Sequence, residues 1–235
     1  MKKEELRALV ETLGRKYSEI LEIRLSSGTD EELFKWFLAS MLFGAPISEA
    51  AVLKTYKCFQ NYKILTPKKI LETGWDRLVE VLDEGSYTRY DFKTADKLLL
   101  VSRTVLERYG GSMNKIHSQA SDVRDLETRL KELSKGIGDI TVSIFLRELR
   151  DVWKKADPYP TPLVVRAAEQ LKIVKVNAPP QEVLERLKDF WRRKAMVGQS
   201  FVNFETALLR LEKDYLRKGR RFSLVSTVSS DRTAV

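Results

Sequence analysis

Apolar residues recur along this chain at spacings of three and four, which is the period of one helix face. Residues 2–24 carry one such stripe, a capping-box pattern at 29–32 begins a second helix, and Thr66-Pro67 begins another with an N-cap and an N1 proline. Because no segment shows sustained strand alternation, the sequence predicts an all-α fold. Further helices are expected at 50–59, 75–83, 91–109, 123–134, 138–153, 162–173, 180–196 and 200–218.

Composition limits the class of protein. With 235 residues and 43% hydrophobic content, the chain can bury a core as one large domain or two small lobes. No apolar run approaches the roughly 18 residues that span a bilayer, and the N-terminus lacks a signal-peptide core. We therefore expect a cytoplasmic (intracellular) protein without a membrane partner.

The scarcity of Cys and His excludes several chemistries. Cys58 is the only cysteine, which rules out an internal disulfide framework and a metal site built on Cys ligands. His117 is the only histidine and has no serine elbow nearby, so we expect a surface or capping role for it. The sequence therefore predicts no metal and no cofactor.

Charge points to a polyanionic partner. Lys and Arg total 42 against 33 Asp and Glu, which gives a formal net charge of +9, and the sequence pI is about 9.5. Nucleic acid fits this balance, and acidic proteins and anionic membranes remain alternatives. The C-terminal helices are strongly basic, with Lys188, Arg192, Arg193, Lys194, Lys213, Arg217, Lys218, Arg220 and Arg221.

The segment LSKGIGDIT, residues 133–141, separates two helical patterns by a Gly-x-Gly turn. The second helix begins at Asp139. A glycine turn at a helix start leaves backbone N–H groups open beside the positive end of the helix dipole, and such a place holds a phosphate oxygen. The alternative is a glycine cap within an ordinary helix hairpin.

The longer segment LKELSKGIGDITVSIFL resembles the hairpin motif of the helix-hairpin-helix DNA glycosylase superfamily, the endonuclease III and alkyladenine glycosylase group. Upstream, ELFKWFLASMLFGAPISEAAVLKTYKCF and GSYTRYDFKTADKLLLVSRTVLERYGG are similar to early blocks of that family, and PTPLVVRAA falls where it carries its catalytic loop. The resemblance covers roughly residues 28–175. The four C-terminal cysteines of its iron–sulfur members are absent.

The resemblance implies one two-lobed helical domain over residues 1–224, with one lobe at about 30–135 and the other formed by 1–29 and 136–224. Residues 225–235 lack a packing pattern and are expected to be a disordered tail. The implied function is base-excision repair. The resemblance thus implies a nucleoid-associated monomer that binds duplex DNA with a damaged base and flips that base out for N-glycosidic cleavage.

The resemblance also implies site residues. The expected DNA contacts of the hairpin are Lys135, Gly136, Ile137, Gly138 and Thr141. Tyr87 and Arg89 lie in a basic-aromatic loop that we expect to face the DNA. Leu42 or Phe43 stands where relatives insert a wedge into the base stack, although both positions also fit a helix core.

The catalytic residues of the family do not carry over directly. With Arg166 as the family's arginine, Thr161 occupies the place of its aspartate, and a neutral hydroxyl supplies no anionic field for a positively charged sugar. Asp157, four residues earlier, is the candidate catalytic carboxylate, or else an Asp-Pro turn. Ile140 replaces the Schiff-base lysine of bifunctional members, so an active protein would be monofunctional.

Two other functions remain open. The missing aspartate is compatible with a catalytically inactive relative that recognises damaged or bent DNA. The basic surface alone is compatible with a helical module that binds acidic proteins. Base release separates the enzyme from the binder, and the dependence of binding on salt and on duplex form separates both from the protein-interaction module.

Overall fold

A computed structural model describes residues 1–222, and the expected tail at 225–235 lies outside them. The described part is helical without strands, which confirms the all-α prediction. Within these residues no helix is both long and apolar enough to cross a membrane. The α-helices are α1 (Lys3–Leu13), α2 (Tyr17–Ile20), α3 (Asp30–Phe43), α4 (Glu49–Asn61), α5 (Pro67–Thr73), α6 (Trp75–Glu84), α7 (Asp91–Tyr109), α8 (Met113–Gln119), α9 (Val123–Lys131), α10 (Asp139–Glu148), α11 (Pro162–Gln170), α12 (Pro180–Lys194) and α13 (Phe201–Arg210).

The chain divides into two compact units. The first contains Met1–Lys16 and residues 159–222 of the described chain, and the second is Tyr17–Pro158. The first unit therefore holds α1 and α11–α13, and the second holds α2–α10. The resemblance implies a lobe boundary at 135/136, whereas the contacts keep both hairpin helices, α9 and α10, within the second unit.

Helix α3 is the core of the second unit. Its residues from Glu32 to Leu42 are buried except Lys35, and the helix packs against α4, α7, α8 and α10. The indole N–H of Trp36 donates to the carbonyl oxygen of Phe145 at 3.1 Å, and the Phe37 and Phe145 rings meet edge to face at 4.9 Å between centroids. These contacts attach the second hairpin helix to the core.

A buried carboxylate secures the other end of α10. The Glu148 side chain accepts hydrogen bonds from the backbone N–H groups of Tyr17 and Ser18 at 2.8 and 2.9 Å. These are first-turn donors of α2 that have no partner within their own helix. Arg147 is 2% exposed, and its Nη2 lies 3.9 Å from Glu148. Helix α10 is therefore held at its C-terminus as well as along its apolar face.

The first unit is built around α13, which packs against α1 and α11. Asn203 Nδ2 donates to the carbonyl oxygen of Gly14 at 3.0 Å, and Arg210 Nη1 donates to that of Leu13 at 2.8 Å. These two bonds satisfy carbonyl groups at the end of α1. The Trp191 ring of α12 stacks on Phe204 at 5.6 Å between centroids.

The helix boundaries differ from the sequence prediction in three places. The stripe of residues 2–24 is interrupted after α1, whose C-cap is Gly14. Glycine fits this position because a Cβ would lie 2.4 Å from the Val10 carbonyl oxygen and 2.8 Å from that of Asn203. Helix α8, which begins at the N-cap Ser112, is not among the predicted helices. Helix α10 ends at Glu148 rather than near 153, and turns follow it.

Candidate nucleic-acid interface

The Gly-x-Gly segment forms a turn between α9 and α10, which we name the hairpin turn (residues 133–138). Leu133 and Ile137 are 0% and 5% exposed, so the turn is attached to the protein interior by two buried apolar side chains. The Ile137 N–H donates to the Ser134 carbonyl oxygen at 3.1 Å. The other residues of the turn that flank Ile137, namely Lys135, Gly136 and Gly138, are exposed. Ile137, one of the predicted contacts, thus has a buried side chain and an N–H that is paired within the turn.

The two glycines of the hairpin turn have different conformations. Gly136 has φ +91°, which L-residues rarely adopt, so the turn itself requires this glycine. Gly138 has φ −109° and ψ −177°, an extended conformation that any residue adopts, and no atom lies within 4 Å of the position of an added Cβ. The backbone therefore does not require glycine at position 138.

The first turn of α10 presents unpaired backbone donors. No side chain caps its N-terminus, and the N–H groups of Gly138, Asp139 and Ile140 have no hydrogen-bond partner within residues 1–222. The Ile140 side chain is 65% exposed, so the position that the resemblance assigns to a Schiff-base lysine faces solvent. This geometry, open amides at the positive end of a ten-residue helix, suits an oxyanion.

A lysine that the sequence analysis did not single out lies beside the turn. Lys97 reaches from α7, and its Cε would be 3.3 Å from a Cβ on Gly136. Its ammonium has no hydrogen bond or ion pair with any described residue, and burial lowers the pKa of Lys97. A partly buried cation without a counter-ion favours the binding of an anion nearby. The exposed Lys135 adds a second cation to the turn.

One acidic side chain opposes anion binding at this place. Asp139 is the first residue of α10, and its carboxylate is 85% exposed. It forms an ion pair with Lys131 of α9, which partly neutralises it. The remaining field of Asp139 acts against a phosphate at the same helix start.

The structure corrects the expected contact and wedge roles of Tyr87 and Leu42. Both side chains are 0% exposed, and the Tyr87 hydroxyl donates to the Leu42 carbonyl oxygen at 2.8 Å. This bond links the loop after α6 to the end of α3 inside the second unit. Phe43, the other wedge candidate, is half-buried and packs against Tyr17 at 5.0 Å between ring centroids.

Thr141 is also interior, while Arg89 is accessible. Thr141 is 4% exposed, and a Cβ on Gly44 would lie 2.2 Å from its Oγ1, so glycine at position 44 lets α10 approach the end of α3 closely. Thr141 therefore positions the hairpin rather than contacting a ligand. Arg89 is exposed and lies 5.5 Å over the Tyr90 ring, and it remains a candidate contact.

The candidate carboxylate Asp157 has a structural partner. The Arg150 side chain is 6% exposed, and its Nη1 pairs with Asp157 Oδ1 while its Nη2 donates to the Pro158 carbonyl oxygen at 2.6 Å. Asp157 thus supplies the counter-charge of a buried guanidinium. The sequence places Arg150 seven residues before Asp157 but does not indicate that its side chain is buried.

Thr161, which the resemblance places at the aspartate of the glycosylases, is the N-cap residue of α11. Its backbone is extended, with φ −68° and ψ 158°, and Pro162 occupies the first helical position. The hydroxyl makes no capping bond, and Oγ1 is buried without a hydrogen-bond partner in the described chain. A carboxylate would gain from this helix start, so the position suits an anion that the sequence does not provide.

Residues 1–222 contain no cluster of three His, Cys, Asp or Glu side chains arranged to hold a metal ion. Comparisons with models of known protein families, with curated proteins and with solved structures find no significant match.

Proposed function

We propose that this protein binds duplex DNA through the hairpin turn, as a DNA glycosylase-like protein of base-excision repair that flips a damaged base for N-glycosidic cleavage. One observation supports the binding step most directly. The hairpin turn combines open amides at the start of α10 with the exposed Lys135 and with Lys97, a cation that lies beside Gly136 and has no counter-ion in the described chain. Amides and lysines together fit a phosphate of the DNA backbone, which positions the protein without reading sequence.

A second candidate function is recognition of damaged or bent DNA without base release. Two observations favour it. The N-cap of α11 carries Thr161 instead of an acid, and the nearest carboxylate, that of Asp157, is engaged by Arg150. Neither group supplies an unpaired anion for a positively charged sugar, and preorganised charge is commonly the largest catalytic contribution.

The test of binding measures affinity for duplex DNA as a function of salt. Neutralisation of each phosphate contributes a slope of roughly −0.9 to log K against log salt, and we expect about four to eight contacts. A slope near zero would instead support a module that binds acidic proteins. Single-stranded DNA of the same sequence serves as the control for duplex form.

The test of catalysis uses duplexes that each contain one lesion: uracil, hypoxanthine, 8-oxoguanine, an alkylated purine or an abasic site. Base release by the native protein supports the glycosylase, whereas lesion-selective binding without release supports the second candidate. Thr161→Asp restores the family pattern and should create or raise base release. Thr161→Asn is the matched control, since it adds a similar side chain without charge.

A further inference from the structure

The C-terminal end of the first unit carries a compact basic surface, which we name the basic turn (residues 217–221). Its sequence is RKGRR, and all five residues are exposed. Arg217, Arg220 and Arg221 have no ion pair or hydrogen bond from their side chains to any residue of the described chain. Three guanidinium groups are therefore available to a ligand within a few residues.

The basic turn has a defined backbone rather than an irregular one. Gly219 has φ 64° and ψ 17°, its N–H donates to the Leu216 carbonyl oxygen at 3.0 Å, and the Arg220 N–H donates to that of Tyr215 at 2.9 Å. This pair of bonds is a Schellman motif, which ends a helix with a left-handed residue. The Tyr215 and Phe222 rings meet at 5.0 Å between centroids and close the turn.

The segment that leads to the turn is anchored in the same unit. After α13 the helix widens into one π-turn at Leu211–Tyr215 and continues as a 3₁₀ turn at Leu216–Lys218. Glu212 in the π-turn is 3% exposed and accepts from Arg166 Nε of α11 at 2.9 Å. The backbone that leads to the arginines is thus held in place, which lowers the entropy cost of binding.

Acidic neighbours do not neutralise the three arginines of the turn. Asp214 is the nearest carboxylate in the sequence, and it lies 3.8 Å from both Lys213 and Lys218. One acid is thus shared by two lysines. The three arginines retain their charges for an external anion.

We propose that the basic turn is a second nucleic-acid contact that binds phosphodiester groups of the DNA backbone separately from the hairpin turn. The inference rests on the proposed DNA-binding function for the identity of its partner. Guanidinium groups favour phosphate because their planar forks donate two parallel hydrogen bonds to its oxygens. An anionic membrane is a weaker fit, since Tyr215 and Phe222 pack on each other instead of presenting an apolar face for insertion.

The test compares the full chain with the triple variant Arg217→Gln, Arg220→Gln and Arg221→Gln on a long undamaged duplex. Loss of about three phosphate contacts should flatten the slope of log K against log salt by about 2–3 and weaken binding about tenfold or more at moderate salt. Circular dichroism and thermal unfolding should match the parent, because all three side chains are exposed.

A matched control removes three exposed cations elsewhere in the same unit by Lys3→Gln, Arg7→Gln and Lys175→Gln. It should change affinity by less than about twofold, because solution ions screen charges that make no contact. Equal behaviour of the two triple variants would overturn the basic turn as a contact. So would loss of binding to phosphatidylserine vesicles with unchanged binding to DNA.

The hairpin variant Gly138→Val separates this inference from the proposed function. If it loses affinity while the variant of the basic turn does not, the proposed function stands and the second contact fails. If only the variant of the basic turn loses affinity, the second contact stands and the hairpin turn is not the DNA contact.

Discussion

Arg150 binds the carboxylate of Asp157 with one terminal nitrogen and the carbonyl oxygen of Pro158 with the other. The guanidinium is buried, at 6% exposed, whereas Asp157 keeps 32% of its side-chain surface accessible. The Asp157 carboxylate therefore has two alternative functions. It either balances the charge of Arg150 or acts on a flipped nucleotide.

Asp157→Asn distinguishes these roles. As the counter-ion of Arg150, Asp157 should contribute stability, and its replacement should lower the free energy of unfolding by about 1–3 kcal/mol, measured by urea denaturation. DNA affinity should remain near that of the parent. If Asp157 is instead catalytic, base release should fall by roughly two powers of ten. Unchanged stability with lost base release would contradict the structural role.

Gly138→Val tests whether the hairpin turn admits a phosphate. The extended backbone and the open space around position 138 should let the variant fold with the stability of the parent. Its branched side chain would stand before the open amides of α10, and we expect a loss of duplex affinity of about tenfold, the effect of about 1.4 kcal/mol. Anisotropy titrations at matched salt measure this.

Gly136→Ala is the comparison for Gly138→Val, since the first substitution should lower the stability of the fold and the second should not. Because Gly136 has φ +91°, alanine there should cost about 1–2 kcal/mol of stability by backbone strain. Stable folding and parental affinity of Gly138→Val would show that the hairpin turn makes no phosphate contact.

Asp139→Asn should change DNA affinity in the opposite direction. Removal of a carboxylate from the start of α10 strengthens the positive field there, so binding should tighten by about two- to fivefold at low salt, equivalent to about 0.4–1 kcal/mol. The gain should shrink as salt rises. Glu80→Gln is the control, since Glu80 also pairs with a cation, Arg77, at 2.6 Å, but lies outside the hairpin. Equal effects of both substitutions would show that only net charge matters.

His117 predicts a pH dependence of stability. Its ring stacks on Trp153 at 4.9 Å between centroids, and its Nε2 accepts from the Lys155 N–H at 3.4 Å. Burial, and then the charge of Lys155, lower the pKa of His117 below its ordinary value of 6.5. The folded protein thus binds this proton less readily than the unfolded chain. The contribution of neutral His117 is complete above pH 6.5 and declines as pH falls toward the lowered folded pKa.

Thermal unfolding between about pH 7.5 and pH 5 measures this effect, because carboxyl groups with ordinary or lowered pKa values titrate below that range. His117→Gln should remove the loss of stability on acidification, since the chain contains no other histidine and Asp83, whose pKa is raised by burial and by Asp91, acts in the opposite direction. A variant that retained the full pH dependence would assign it to another group.

The sequence by itself determined the helical class and most helix starts. Helix capping depends on residues that are close in sequence. The side chains of Thr29, Ser48 and Thr66 each accept a hydrogen bond from the backbone N–H three residues ahead. The position of the hairpin turn could also be predicted from local sequence, since Gly136 requires a backbone conformation that glycine favours. Gly138 does not share that requirement, and only its observed φ separates the two glycines.

The tertiary structure alone decided which side chains face outward. Tyr87 lies in a loop, where no periodicity assigns a direction, and its hydrogen bond to Leu42 joins residues 45 apart in sequence. The burial of Thr141 depends on the absence of a Cβ at Gly44 on another helix, and the availability of Lys97 depends on how α7 packs beside the hairpin turn. Helix propensity and capping act over about one turn, whereas orientation and charge pairing depend on distant segments that meet only when the core forms.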